Sequence, residues 1–205
     1  MVRTDDAVAV RVMAGQGLVK GSVRITGGKW RRRVLHFASR AALRPTADMV
    51  RERLFNWLGQ DLTGWHCLDL FAGSGALGFD AASRGADCVC MVERDAAACT
   101  ALRQNGDLLG ASGQVTVYCD DVFGWLQRSP QAVGCAPFDL VTLDPPFAQG
   151  GQERVLDVLS RGWLRPQARV YVEHDGSLIV PEGWDVLRAG RTGQAHYCVL
   201  SWGEA

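Results

Sequence analysis

Apolar residues from Trp65 onward fall into short runs that alternate with segments of helical periodicity. Strand and helix in alternation predict βαβ units, and hence a parallel sheet covered by helices on both faces. The last two apolar runs, 184–188 and 196–202, have the turn-like segment 190–193 between them and predict an antiparallel hairpin. The sequence therefore predicts an α/β fold with a doubly wound, mostly parallel sheet that ends in a hairpin. The other predicted elements are strands at 66–71, 88–92, 115–118, 138–143 and 168–173, and helices at 76–84, 95–108, 121–128 and 152–159.

The chain before Trp65 has a different pattern. Val23–Thr26 and Val34–Phe37 alternate like two short strands, and Gly27 and Gly28 between them can adopt the positive φ angles of a turn. This pattern predicts a β-hairpin.

A helix is predicted to join the hairpin to the main fold. Thr46 is a suitable N-cap, apolar residues from Val50 to Leu58 recur at helical spacing, and Gly59 is a stop signal. We therefore expect three parts of the chain: a flexible extension at 1–20, a hairpin and helix at 21–60, and the main domain at 61–205.

Composition agrees with one globular domain. The chain has 205 residues, of which 47% are apolar, and no apolar run approaches the roughly 20 residues that span a bilayer. We expect a soluble, cytoplasmic protein without a membrane partner. The seven cysteines include no C-x-x-C pair, so we expect buried free thiols. Cys88 and Cys90 share a strand face, but a zinc site needs two more ligands, and no metal is expected.

Charge is distributed unevenly although the formal net charge is zero. Residues 20–53 contain ten Lys or Arg against two acidic residues, and the excess is balanced after residue 53. A basic end on an otherwise acidic chain is typical of a protein that touches a polyanion with that end. Within it, Lys29, Arg31, Arg32 and Arg33 can pair with phosphates, while Trp30 can stack on a base. The alternative is a solvated basic face.

A glycine-rich loop follows the first strand of the main domain. It runs from Asp69 to Gly78 and leads into a helix, and glycines let the backbone approach a ligand closely. In open sheets of this kind, ligands bind at the carboxyl ends of the strands. The loop also satisfies G-x-G-x-x-G, with Glu93 twenty residues after Gly73, so a dinucleotide oxidoreductase is a serious alternative.

Two features favour a different ligand. Asp69 precedes the glycines, where a carboxylate helps to bind the amino-acid portion of a ligand but repels a pyrophosphate. The fourth strand ends in Asp144-Pro145-Pro146-Phe147, which has no evident role in hydride transfer.

The tetrapeptide suits the methylation of an exocyclic amino group, whose lone pair is delocalised into the base. Asp144 and the carbonyl of Pro145 can accept hydrogen bonds from the two N–H groups and localise that pair. Pro145 and Pro146 hold the loop stiffly extended, and Phe147 can stack on the target base. The alternative is an Asp-initiated turn with a buried Phe.

The sequence resembles the RsmD-type methyltransferases of small-subunit ribosomal RNA from about Val23 to the C-terminus. The narrowest matches are Arg24 to Arg33, Leu43-Arg44-Pro45-Thr46 and Val50 to Leu58. Asp69 to Gly78, Ser83 to Ala86 and Asp144 to Phe147 also match but occur more widely. The resemblance implies transfer of a methyl group from S-adenosyl-L-methionine to N2 of one guanine in 16S ribosomal RNA. Residues 1–20 extend beyond the usual start of the family.

The resemblance also implies roles for individual residues. Glu93, with Arg94 beside it, is expected to bind the ribose hydroxyls, and Asp121 or its neighbour Asp120 to accept from the adenine amino group, with Val122 against the ring. The methionine part of the cofactor is expected at Phe71, Ala72, Gly73, Ser74 and Gly75, with Asp69 beneath and Thr46 near the carboxylate. The RNA-binding residues are expected to be Lys29, Trp30, Arg31, Arg32, Arg33 and Arg44.

Three functions remain open. The first is a guanine-N2 ribosomal RNA methyltransferase that acts as a monomer on a partly assembled 30S subunit, without an obligate protein partner. The second is a DNA amino-methyltransferase, although such enzymes usually carry a target-recognition domain for which this chain has no room. The third is a non-catalytic RNA-binding or ribosome-assembly protein, which leaves the tetrapeptide unexplained.

Overall fold

The computed structural model describes residues 19–39, 47–145, 151–193 and 195–203. The residues between and outside these ranges include Arg44, Thr46, Pro146 and Phe147, whose predicted roles therefore lie outside the described residues, as does most of the predicted extension at 1–20. The elements in chain order are β1 (Val19–Arg24), β2 (Val34–Ser39), α1 (Asp48–Leu58), β3 (His66–Leu70), α2 (Ala76–Ser83), β4 (Cys88–Glu93), α3 (Ala96–Leu109), β5 (Val115–Cys119), α4 (Val122–Trp125), β6 (Phe138–Leu143), α5 (Gln152–Leu159), β7 (Leu164–His174), β8 (Trp184–Thr192) and β9 (Ala195–Trp202), with 3₁₀ turns at Gly28–Trp30 and Pro130–Ala132.

A seven-stranded sheet forms the centre of the fold, with the strand order β5-β4-β3-β6-β7-β9-β8. The strands from β5 to β7 are parallel, and β9 is antiparallel to both β7 and β8. The predicted fold class and the terminal hairpin are confirmed. The chain leaves β3 toward β4 and returns to β3's other side as β6, so the topological switch point lies between β3 and β6. Ligands of doubly wound sheets bind outside the carboxyl ends of the strands at such a point.

Several predicted boundaries differ from the structure. The helix predicted at 121–128 is α-helical only to Trp125, because Gln127 and Arg128 donate to the carbonyls three residues before them and tighten the last turn. The turn predicted at 190–193 begins later, since β8 pairs with β9 up to Thr192. The helix α1 has Ala47 as its N-cap residue, one position after the predicted Thr46.

Helices cover both faces of the sheet, as the continuous apolar runs predict. One face packs against α4 and α5, where Trp125 and Trp163 are almost fully buried. The other face packs against α1, α2, α3 and the hairpin. Fully buried residues on that side include Ile25, Phe55, Phe79 and Val89.

The N-terminal hairpin forms as predicted, and it is fixed to the main fold. β1 and β2 pair antiparallel, with Val23 opposite Leu35. Asn105 of α3 continues this ladder, because its side chain accepts from the backbone N–H of His36 at 3.2 Å and donates to the His36 carbonyl at 2.8 Å. Ile25 and Thr26 lie outside the strand that was predicted to include them. Thr26 instead donates both its N–H and its hydroxyl to the carboxylate of Asp80, each at 2.9 Å.

A buried carboxylate holds the hairpin, α1 and α2 together. Asp80 of α2 is inaccessible to solvent and pairs with Arg51 of α1, which is equally buried, and with Arg84 at 2.7 Å. Arg51 also donates to the carbonyl of Arg24 at 2.8 Å, so the pair reaches back into the hairpin. Arg51 was counted with the basic excess at the sequence level, but its position on the buried face of α1 makes it part of the interior.

Two of the cysteines lie side by side in the structure. Cys88 at the start of β4 and Cys135 before β6 have Cα atoms 6.0 Å apart, and their sulfur atoms are in contact. Strand pairing could not predict this contact, because Cys135 belongs to an irregular segment. The Sγ atoms of Cys88, Cys90 and Cys135 lie within 4.8 Å of one another. None of the helices in the described ranges has the length and apolar composition that crossing a bilayer requires.

Candidate active site

The glycine-rich loop after β3 contains positive φ angles, which few amino acids other than glycine adopt readily. Gly73 and Gly75 have φ angles of 53° and 76°, and Phe71 also has a positive φ, of 63°. A side chain at Gly75 would in addition collide with Leu102 and Phe79, at 2.5 and 2.8 Å. A positive φ is uncommon for a bulky residue, and backbone strain of this kind concentrates at ligand sites. Phe71 to Gly75 therefore form a tight backbone loop at the entrance to α2, in which Phe71 is half-buried and the other four residues are buried.

Asp69 lies beneath this loop and holds it against the sheet. It is 3% exposed, and its two carboxylate oxygens accept from the N–H of Gly78 at 2.9 Å and from the hydroxyl of Thr142 at 2.6 Å. Burial raises the pKa of Asp69 to about 6, against the lowering effect of these two hydrogen bonds. The sequence suggested a contact with the ligand, whereas the structure places Asp69 as a brace that links β3 to β6.

Glu93 closes β4 beside the same loop. Its carboxylate accepts from the N–H of Gly73 at 2.9 Å and from the N–H of Asp95 at 2.7 Å. A carboxylate has about four lone-pair sites, so these two bonds leave capacity for the hydroxyl groups of a ligand. Arg94 is exposed beside it. The structure thus brings Glu93 and the glycine-rich loop together, as the sequence predicted.

The two acidic residues after β5 have different partners. Asp120 forms a salt bridge with Arg128 at 2.7 Å. Asp121 caps α4 through Oδ1, which accepts from the N–H groups of Phe123 and Gly124. Of the two, Asp121 is the more exposed and is not in an ion pair within the described ranges. Val122 is 3% exposed and belongs to the core, so its side chain is less available to a ligand than the sequence suggested.

Asp144 and Pro145 follow β6 at the switch point. Asp144 is half-buried and Pro145 is buried. Leu143 and Leu70 are paired across β6 and β3, so the two strands deliver Asp144 and the glycine-rich loop to the same edge of the sheet. The hydrogen bond from the Thr142 hydroxyl to Asp69 links β6 to β3 near the carboxyl ends of both strands. This edge combines a backbone cradle with a carboxylate one residue beyond a rigid strand.

The basic residues of the hairpin lie elsewhere. Arg31, Arg32 and Arg33 are exposed, whereas Trp30 is half-buried against the core, with the ammonium of Lys29 4.3 Å from its ring centroid. The N–H of Trp30 donates to Ser83 at the carboxyl end of α2, at 2.8 Å.

The glycine-rich loop lies at the other end of α2. Eight residues of α-helix, Ala76–Ser83, separate the two, which at 1.5 Å per residue is about 12 Å. The hairpin that carries the arginines is therefore attached at the end of α2 that is remote from the glycine-rich loop.

Residues that sequence reasoning overlooked include Thr142, Gly78 and Glu173. A side chain at Gly78 would meet Met91 at 2.5 Å, so this glycine allows α2 to lie close to the sheet. Glu173 lies near the end of β7, and its signal was available, because it follows the rule that singled out Glu93 at the end of β4.

Sequence comparisons agree with this geometry. The family model described as Conserved hypothetical protein 95 matches residues 23–201. A ribosomal RNA small subunit methyltransferase D of Haemophilus influenzae is 40% identical over 181 residues, which are 87% of this chain and 93% of that protein. The protein of the same name from Escherichia coli is 39% identical over 181 residues, 86% of this chain and 88% of the relative.

Solved structures show the same fold. A putative methyltransferase of Escherichia coli superposes with a TM-score of 0.79 at 36% identity, over 90% of this chain and all of that one. An RNA methyltransferase of Salinibacter ruber, solved in complex with S-adenosyl-L-homocysteine, has a TM-score of 0.61 at 19% identity and covers 79% of this chain and 95% of its own. The latter likeness concerns the fold alone.

Proposed function

Because the chain belongs to the family of the ribosomal RNA small subunit methyltransferases D, we propose that it transfers a methyl group from S-adenosyl-L-methionine to the N2 amino group of a guanine in 16S ribosomal RNA. The observation that carries this proposal is the position of Asp144 beside the glycine-rich loop at the switch point of the sheet. One edge thereby offers a cofactor cradle and an acceptor for an amino group.

The cradle suits this cofactor. When bound, S-adenosyl-L-methionine supplies an electrophilic methyl group on a sulfonium. Gly73 and Gly75 have no side chains, so the backbone can approach the methionine part closely there, together with Phe71, Ala72 and Ser74, while Asp69 keeps the loop in place. Glu93 accepts hydrogen bonds from the ribose hydroxyls, with Arg94 at the rim. Asp121, rather than the ion-paired Asp120, accepts from the adenine amino group, near the backbone of Val122.

The chemistry of the acceptor depends on Asp144 and Pro145. An exocyclic amino nitrogen is a weak nucleophile because its lone pair is delocalised into the ring. The carboxylate of Asp144 and the carbonyl of Pro145 accept from its two N–H groups, localise the lone pair and stabilise the positive charge that develops on nitrogen. Pro146 stiffens the loop, and Phe147 stacks on the extruded base. Thr46 completes the cofactor site near the carboxylate.

The remaining parts of the proposal concern the partner. Residues 21–60 position the RNA through Lys29, Arg31, Arg32, Arg33 and Arg44, and residues 61–205 carry out the transfer. Trp30 supports this surface from below. The enzyme acts in the cytoplasm as a monomer on a partly assembled 30S subunit. The placement of the hairpin and the glycine-rich loop at opposite ends of α2 supports a substrate large enough to reach both.

Methyl transfer from labelled cofactor tests the proposed function directly. We expect N2-methylguanosine in 16S RNA from partly assembled subunits, less in naked RNA, and no label in duplex DNA. Labelled adenine in DNA would favour a DNA amino-methyltransferase, and absence of label in every substrate would favour a non-catalytic RNA-binding protein. Calorimetric titration adds a second criterion, because preferential binding of NAD or NADP would contradict the cofactor assignment.

Removing the charges of Arg31, Arg32 and Arg33 should weaken RNA binding and flatten its salt dependence. Each lost phosphate contact should lower the slope of log K against log salt by roughly 0.7–0.9, while cofactor affinity stays unchanged. A charge-matched control replaces Arg103, Arg161 and Arg188, which are also exposed. If both triple variants have the wild-type slope, the hairpin arginines are only a solvated face.

A further inference from the structure

A second carboxylate lies beside Asp144 at the same edge of the sheet. β6 and β7 are parallel neighbours, with Thr142 paired to Tyr171 and Leu143 to Val172. Asp144 is the first residue after β6, and Glu173 follows Val172 in β7. This register therefore brings the two residues to neighbouring positions at the carboxyl edge of strands that lie about 4.8 Å apart. Side chains alternate between the two faces of a sheet, so Asp144 lies on the face of Thr142 and Glu173 on the face of Tyr171. Thr142 and Tyr171 are paired, so this is the same face for both carboxylates.

Glu173 is held in place from below. It is 7% exposed, and its Oε1 accepts from the hydroxyl of Tyr171 at 2.7 Å. Burial raises the pKa of Tyr171, and the negative charges of Glu173 and then Asp144 raise it further. Both carboxylates therefore act on one hydroxyl, which agrees with the register. Tyr171 is fully buried and stays a donor, so it fixes the orientation of Glu173.

Two adjacent acceptors match one edge of guanine. The Watson–Crick edge of guanine presents the N1–H and the N2 amino group as neighbouring donors, whereas adenine presents an acceptor at N1. A carboxylate has about four lone-pair sites, so it can accept from Tyr171 and from several further donors at once. A bond from N1–H to a carboxylate is charge-assisted, and such bonds are the stronger kind.

We propose that Glu173 accepts the N1–H of the target guanine while Asp144 accepts from its N2 amino group, so that Glu173 is a specificity-determining residue. This inference rests on the proposed function. In this inference the enzyme recognises guanine by the proton on N1, which the contact of Asp144 with the N2 amino group does not detect. Tyr171 acts as a positioning residue for this contact.

The test compares two RNAs that differ only at the guanine mapped as the methylation site. One carries guanine and the other carries 2-aminopurine, which keeps the N2 amino group but has an unprotonated N1 and no oxygen at C6. The dependence of the preference on Glu173 separates the contact at N1 from any contact to O6. Wild-type enzyme should prefer guanine in kcat/KM by about 10- to 100-fold, the size expected when one hydrogen bond to a charged group is lost. In Glu173→Gln the amide can donate to the N1 of 2-aminopurine, so the preference should fall to about threefold or less, or reverse.

Further variants separate recognition from folding. Glu182→Gln changes an exposed glutamate just before Trp184, which pairs with Trp202 at the opposite edge of the sheet from Glu173, and should keep the wild-type preference. Glu173→Asp retains a carboxylate and should keep part of it. Unchanged cofactor affinity of Glu173→Gln, measured by calorimetry, shows that the variant is folded.

Three results would overturn the inference. Equal methylation of both RNAs by the wild-type enzyme would do so without any variant. An equal loss on both RNAs in Glu173→Gln would show that Glu173 only supports the fold. In both cases N2-methylguanosine is still formed, so the proposed function stands. Absence of N2-methylguanosine from wild-type reactions would overturn the proposed function and this inference together.

Discussion

Asp144→Ala should slow methyl transfer at least about 100-fold, the scale of losing one well-placed electrostatic partner of a transition state. The reason is that positive charge builds on the attacking nitrogen only as the new bond forms, so the acceptor is most valuable at that moment. Cofactor affinity should change little, because the glycine-rich loop is held by Asp69 and Glu93 rather than by Asp144.

Single-turnover methylation under saturating RNA isolates this chemical step from product release. Asp144→Asn is the sharper variant, since it keeps an acceptor oxygen and the shape of the side chain but removes the charge. It should retain partial activity. Asp157→Asn, an exposed aspartate on α5, serves as the matched control and should react at the wild-type rate. If Asp144→Ala also reaches that rate, the nitrogen is activated by another group.

Asp80→Ala should lower the free energy of unfolding by about 3–5 kcal/mol, the cost of removing one partner of a buried ion pair. Asp80 is inaccessible to solvent, and its removal takes the buried carboxylate away from Arg84 and leaves the buried Arg51 with its contact to the more exposed Asp48. Thr26 would also lose the acceptor for its N–H and hydroxyl. The hairpin should therefore loosen together with the end of α2.

Denaturant unfolding with a two-state fit measures this effect. The control is Asp157→Ala, which breaks the exposed i,i+4 pair with Arg161 and should cost no more than about 0.5 kcal/mol. Comparable losses in the two variants would contradict the interpretation of Asp80 as the residue that joins hairpin, α1 and α2. The RNA affinity of Asp80→Ala should fall as well, because Arg31, Arg32 and Arg33 belong to the hairpin that this variant loosens.

The sequence was sufficient to predict the fold because most of its elements are locally specified. Apolar runs of strand length alternate with amphipathic helices, and this alternation predicts which residues close each strand. Strands β3, β4 and β6 end at Leu70, Glu93 and Leu143, each within one residue of its predicted end. The glycine-rich loop and Asp144 could therefore be predicted at one edge of the sheet. The roles of these residues remain predictions for the experiments above.

The features that could not be predicted depend on contacts between distant segments. Arg51, Asp80 and Thr26 come from α1, α2 and the hairpin, and no local period relates them. A buried arginine also resembles a surface arginine in composition, which is why Arg51 was assigned to the basic excess. The contact between Cys88 and Cys135 has the same origin, because an irregular segment brings Cys135 to the sheet.

The helix α2 sets a fixed spacing between the glycine-rich loop and the N-terminal hairpin. Its first turn follows Gly75 of that loop, and its carboxyl end carries Asp80, Ser83 and Arg84, which hold the hairpin. One inserted residue would rotate everything beyond it by 100° and advance it by 1.5 Å, turning Asp80 away from Arg51. The interval from Gly75 to Arg84 therefore fixes where the hairpin lies relative to the glycine-rich loop, and a change in its length would displace one relative to the other.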